Sequence, residues 1–212
     1  MEEQLKSRLR FLTTIDKMKS IYRRNVIADG SGRGETDAEH SWHLALYAMT
    51  LAEYAPAGTD IDRTIRICLT HDLVEVYAGD TFCYDAAANA DKKERETAAA
   101  EKLFSILPPA QKEEFEGLWR EFEENATNEA RFANALDRMQ PFLLNAETDF
   151  HTWHLNEITD QMIFRREEPV RAFFPEVYRY VEECVERALE RGLLKKEEAK
   201  ADDGASDTQN RE

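Results

Sequence analysis

The 212-residue chain is poor in cysteine, glycine, proline, long apolar runs and positive charge, and each shortage closes off a class of protein. Its three cysteines, Cys68, Cys83 and Cys184, are odd in number, far apart and outside any CxxC spacing. Neither a disulfide framework nor a thiolate zinc site is expected, and reduced thiols are the default. No apolar run approaches the roughly 18 residues needed to span a bilayer, and Glu2 and Glu3 place acids where a secretory leader carries bases. The expected location is therefore cytoplasmic, with no membrane partner. Acids outnumber bases 43 to 28, a net charge of -15, which repels nucleic acid polymers and anionic surfaces over most of the molecule. Eight glycines and six prolines leave no linker-like stretch inside the chain, so residues 1–194 read as a single domain. From Lys195 onward, alanine is the sole apolar type, and residues 195–212 are expected to form a disordered acidic tail.

What is present is apolar periodicity of helical type. Hydrophobic residues make up 42% of the chain, enough for a sizeable core. Leu5, Leu9, Leu12, Ile15 and Met18 recur at three- and four-residue steps and predict a helix from about residue 3 to about residue 20. A second helix starts near Asp37, and a third is capped by Asp60 and ends at Gly79. Others are expected near residues 91–107, 109–125, 128–146 and 175–191, with a less regular stretch before the last. No segment shows sustained strand alternation, so the expected class is all-α. Between the first two helices lies Asp29-Gly30-Ser31-Gly32-Arg33-Gly34, which lacks the preceding strand and following Gly-Lys of a phosphate loop and reads as a mobile loop or lid.

Charge is uneven along the chain. Residues 1–34 carry eight bases against four acids, a local setting for a small anionic ligand. Arg8 and Arg10 fit a solvated helix face. Arg23 and Arg24, where the chain heads towards His40, are better candidates for function.

Four residues carry the chemistry: His40, the adjacent pair His71-Asp72, and Asp137, each in a helical segment. Two imidazoles and two carboxylates form a mixed nitrogen and oxygen donor set for one divalent cation, with positions left for water and substrate. On a continuous helix, His71 and Glu75 are separated by roughly 40° and Asp72 and Glu75 by roughly 60°, so all three share a face. Asp137 interrupts the apolar face of Phe132, Leu136, Met139 and Leu143, an expensive placement without a partner. An isolated His-Asp pair is more often a satisfied core histidine; the buried acid on a distant helix shifts the balance towards a metal. Mixed sites of this kind accept Mn, Co, Fe, Ni, Zn or Mg.

The ordered set His40, His71-Asp72, Asp137, with Thr70-His71-Asp72-Leu73-Val74-Glu75 and Ala78-Gly79-Asp80, resembles the HD-domain metal-dependent phosphohydrolases, and within them the YfbR-like 5'-deoxynucleotidases. The resemblance covers about residues 11 to 190. It implies an all-α HD-domain fold, commonly a homodimer, and removal of phosphate from deoxynucleoside 5'-monophosphates. It also implies that His40, His71, Asp72 and Asp137 bind the metal and that Glu75 is a catalytic acid. Asp80, Thr81, Phe82 and Cys83 correspond to a substrate-binding turn. The chain departs from that branch at its Arg-Trp pair, where Lys19-Ser20 stand. Lys19 offers a point charge without the bidentate fork of arginine, and Arg24 is the alternative phosphate partner. The donor set leaves room for a pyrophosphohydrolase or triphosphohydrolase of the same superfamily, and for a non-catalytic binding module.

Overall fold

The computed structural model describes residues 2–197. It is helical, as the periodicity requires, with one small antiparallel ribbon added. The first apolar stripe forms α1 (Glu3–Ile15) and then tightens into a 3-10 turn over Asp16–Ser20. β1 (Tyr22–Val26) pairs with β2 (Gly34–Thr36), Tyr22 opposite Thr36 and Val26 opposite Gly34. The glycine-rich segment is the turn of this hairpin and not a lid. Gly30 and Gly32 take the positive φ values (78° and 73°) that it needs, Asp29 Oδ1 accepts from Ser31 N at 2.8 Å, and Arg33 is clamped on Glu39 at 2.9 and 2.7 Å.

Thr36 closes β2 and caps α2 (Asp37–Thr50) through a reciprocal pair: Glu39 N donates to Thr36 Oγ1 and Thr36 N to Glu39 Oε2. That cap fixes the rotational phase of α2, so His40 faces the core, fully buried. α3 (Ile61–Thr70) starts on the Asp60 cap but stops at Thr70, short of the expected Gly79. The chain then winds more tightly, with Leu73 N bonded to Thr70 O and Glu75 N to Asp72 O, before the single turn α4 (Glu75–Ala78). In such 3-10-like winding, residues three apart eclipse one another, so Asp72 and Glu75 align more closely than on a continuous helix.

The rest are α5 (Ala86–Asn89), α6 (Lys92–Phe104), α7 (Pro109–Glu124), α8 (Asn128–Glu147), α9 (His151–Leu155), α10 (Asp160–Phe173) and α11 (Pro175–Glu190). The irregular stretch expected before residue 175 contains α9 and α10. Three apolar clusters hold the elements together. One joins α2, α3 and α8 around Leu44, Ile67 and Leu136; one joins α1, α6 and α7 around Phe11, Phe104 and Trp119; the third joins α8 to α11 around Phe142, Ile163 and Val185. The tail docks where it begins. Lys195 N donates to Ile158 O and Asp160 N to Lys195 O, and Glu197 N reaches Asp160 Oδ1 at 2.9 Å. Residues 195–197, expected to belong to a disordered tail, are thus bonded to the domain; the rest of that expected tail lies outside the described residues.

Candidate metal centre and substrate cavity

α2, the end of α3 and α8 bring His40, His71, Asp72 and Asp137 to one point. His40 Nε2 lies 3.1 Å from Asp137 Oδ1 and 3.8 Å from Asp72 Oδ2; His71 Nε2 lies 3.1 Å from Asp72 Oδ2 and 3.7 Å from Asp137 Oδ1. Donors about 2.1 Å from a common ion lie about 3.0 Å apart at right angles and about 3.4 Å apart in a tetrahedron, so these edges are of the right size.

The second nitrogen of each ring is already spoken for. His40 Nδ1 faces Gln140 Oε1 at 2.9 Å, and His71 Nδ1 faces the Cys68 carbonyl at 2.8 Å, a backbone oxygen left free where α3 ends. Both acceptors require a proton on Nδ1, which leaves Nε2 of each ring as a lone pair aimed at the cluster. His71 Nε2 is buried with Asp72 Oδ2 and Asp137 Oδ1 as its polar neighbours, the place of a donor atom to a cation or, without one, of a proton facing those carboxylates. Gln140 in turn donates to Glu35 Oε1 at 2.7 Å. Electrostatics agree. Burial works against a charged His71, yet Asp72 and Asp137 overcome it and push the imidazole up to about 10. Burial likewise opposes the Asp137 carboxylate, and the two histidines hold it well below its usual range. The cluster therefore demands positive charge, and its donor set fits a divalent ion.

Arg23, from β1, enters the same site. Its Nη1 is 2.8 Å from Asp72 Oδ2 and 3.5 Å from Asp37 Oδ1, with Glu35 at 4.0 Å. Glu75 is buried beside them; Asp37, Asp72 and Glu75 offer oxygens within 4.8 Å of one another. Burial, then Asp72 and Asp37, push the Glu75 carboxyl well above its usual range, with Arg23 opposing. Burial and Asp72 push Asp37 up to about 7. Both Asp37 oxygens and Glu75 Oε2 are without donors among the described residues, so a proton on this pair is the group that satisfies them.

The cluster opens into a cavity of about 360 Å³. Arg24, Asp80, Thr81, Phe82 and Cys83, named from the sequence as substrate-binding candidates, line it. Arg24 sits over the Phe82 ring at 5.9 Å, and Thr81 Oγ1 accepts from Arg95. Lys19 is a correction. It belongs to the 3-10 turn after α1, where the i and i+3 side chains eclipse, so it pairs with Asp16 on the outer surface and does not reach the cavity. Sequence reasoning missed Glu35, Asp37 and Gln140, and also Arg138, Arg166 and Glu167, which line the cavity. Asp37 and Gln140 sit three residues from His40 and Asp137 on the same helical faces, a spacing that is visible in the sequence. Arg166 and Glu167 have no comparable signal.

Comparison with known proteins places these features. A profile of the HD domain matches residues 15–178. The structure is similar to a predicted metal-dependent phosphohydrolase from Magnetospirillum magnetotacticum MS-1, with 44% identity and a TM-score of 0.83 over 91% of this chain and 96% of that one. In sequence it is similar to the 5'-deoxynucleotidase HDDC2 of Xenopus laevis, 33% identical over 65% of this chain and 67% of that protein. The human HDDC2 5'-deoxynucleotidase is 28% identical over 67% and 68%.

Proposed function

The chain belongs to the HD-domain family, and from that premise we propose that it is a metal-dependent phosphohydrolase releasing orthophosphate from (deoxy)nucleoside 5'-monophosphates. The observation that carries this reading is the convergence of two tautomer-locked imidazoles and two carboxylates on the floor of a cavity large enough for a small ligand. His40, His71, Asp72 and Asp137 hold the ion. A divalent cation bound there polarises a phosphoryl oxygen and acidifies water.

The chain's own groups do the rest. Glu75, whose carboxyl is pushed well above its usual range by burial and then by Asp72 and Asp37, moves a proton beside the reacting phosphate. Arg23 holds Asp72 in place and balances the surrounding acids. Asp80, at the turn after α4, accepts a sugar hydroxyl, while Phe82 and Tyr84, in edge contact at 5.4 Å, offer an aromatic surface to the base. That surface stands in for the tryptophan that the YfbR-like pattern leads one to look for.

Two finer assignments complete the proposal. A homodimer is supported by apolar stripes of Leu5, Leu9 and Leu12 on α1 and of Trp42, Leu46 and Met49 on α2, all exposed in the single chain. A cytoplasmic setting fits three unpaired cysteines, one of them exposed. No helix among the described residues is long and apolar enough to cross a membrane.

Product analysis tests the reaction. Metal-supplemented enzyme is incubated with nucleoside mono-, di- and triphosphates, and the released phosphate species are resolved. Orthophosphate from 5'-monophosphates, with 3'-monophosphates poor, is the expected result. Pyrophosphate or tripolyphosphate as the main product would move the chain to the other hydrolase class of the superfamily.

A further inference from the structure

Most cations lining the cavity are already engaged. Arg23 serves Asp72, Asp37 and Glu35; Lys92 pairs with Glu96 at 3.4 Å; Arg24 lies over Phe82. Arg166, on α10, differs. It lines the cavity, yet among the described residues it makes no hydrogen bond and has no carboxylate within 4.0 Å. Its sequence neighbour Glu167 is buried and forms no ion pair with it. On the same cavity wall Arg138 uses one nitrogen, Nη1, for Asn134 O and Oδ1 at 2.9 and 3.1 Å, with Asp137 Oδ2 at 3.6 Å. Its Nε and Nη2 have no partner among the described residues.

Seven acids line the same cavity, but among the described residues none forms an ion pair with Arg166, and an unpaired guanidinium there is costly unless a ligand supplies the charge. Burial pushes the Tyr84 phenol up, and it pushes Glu167 up to about 8 with Arg166 and Arg138 opposing.

We propose that Arg166 and Arg138 form a phosphate cradle beside the metal centre, Arg166 being the substrate-binding cation that α10 contributes to the cavity. This rests on the phosphohydrolase reading for its ligand, a phosphate monoester whose peripheral oxygens the two forks hold while the ester bond faces the metal cluster. It assigns to Arg166 the work for which the Arg23 guanidinium, held by three acids, is not free. A planar fork suits phosphate better than a lysine ammonium would.

Calorimetric titration of metal-loaded protein with inorganic phosphate tests the cradle independently of turnover. Arg166→Ala is expected to weaken phosphate binding roughly 10- to 100-fold, the size of a charge-assisted contact, and Arg166→Lys to recover part of the loss. In steady-state assays with a deoxynucleoside 5'-monophosphate, KM should rise by a similar factor. Metal content and inhibition by the uncharged nucleoside product should stay as in the parent. Unchanged phosphate affinity in Arg166→Ala overturns the cradle, as does a parent protein that binds no phosphate. Equal weakening of nucleoside and phosphate also overturns it, since a collapsed wall would then explain the data. A parent protein that binds phosphate through Arg166 but hydrolyses no 5'-monophosphate would defeat the nucleotidase reading and leave the cradle standing.

Discussion

Gln140→Leu is a sharp probe of the metal centre, because Gln140 touches no proposed substrate yet sets the tautomer of one ligand. Its Oε1 faces His40 Nδ1 at 2.9 Å and its Nε2 donates to Glu35 Oε1 at 2.7 Å, all within the core. Leucine fills similar space but neither accepts nor donates. Two effects follow, and they are separable. First, His40 loses the acceptor that keeps its proton on Nδ1, and loss of such a partner costs roughly 10- to 100-fold in metal affinity. Second, two buried polar groups are orphaned at about 1–3 kcal/mol each, a destabilisation of roughly 2–6 kcal/mol. At about 2–4 °C per kcal/mol for a chain of this size, Tm falls by roughly 5–20 °C. Calorimetric metal titration at a temperature where the variant remains folded reads the first effect, and thermal unfolding with and without metal reads the second. Because the ligands themselves survive, saturating metal should restore most of the turnover. A variant with lowered Tm and parental metal affinity would refute the claim that Gln140 tunes the ligand, leaving it a packing residue.

The remaining predictions address other links. Glu75→Gln should keep metal and lose about 10² to 10⁴ in turnover, the range for a positioned acid or base, and near-parental kcat would remove Glu75 from the chemistry. Metal binding should release a proton, because the cation-free cluster holds one on His71, whose value is raised from 6.5 to about 10; apparent affinity should climb with pH up to about 10. The sign for folding is opposite. In the cation-free protein the raised value contributes stability that is fully present below 6.5 and lost as pH rises through about 10, so proton release independent of pH would contradict the placement of His71. A stop after Leu194 removes the backbone bonds of Lys195 and the Glu197 N to Asp160 contact, and should lower Tm by a few degrees at roughly 0.5–1.5 kcal/mol per bond; an unchanged Tm would show that this docking is inconsequential.

The donor cluster proposed for the metal was legible where its residues break a pattern. Asp137 stands on an apolar face, and His71-Asp72 ends a strongly amphipathic helix, so both ask for a partner that sequence alone can name. The break after Thr70 was not legible, since no glycine or proline lies between Ile61 and Ala78 to announce it. The ribbon was missed because Tyr22 to Val26 is short and centred on Arg-Arg-Asn, and its pairing comes from a turn that resembled a free loop. α10 was hidden by its charged run and by Pro169, which a helix tolerates here because the surrounding core fixes it. Lys19 was misplaced because counting along the chain does not reveal that the 3-10 turn carries it outward. Arg166 was beyond reach for a different reason: what singles it out is having no hydrogen bond or ion pair among the described residues, and that is a fact of tertiary structure.

The central claim is a catalytic cation held by four residues drawn from α2, the end of α3 and α8. Bound metal per chain, measured by elemental analysis alongside orthophosphate release from a deoxynucleoside 5'-monophosphate, tests it most directly in the parent protein and in Asp72→Asn. Activity should be absent from the metal-stripped parent, rise in proportion to metal restored, and stay absent from Asp72→Asn, which should retain its helicity but hold no metal. Full activity in the stripped protein, or stoichiometric metal in Asp72→Asn, would contradict it.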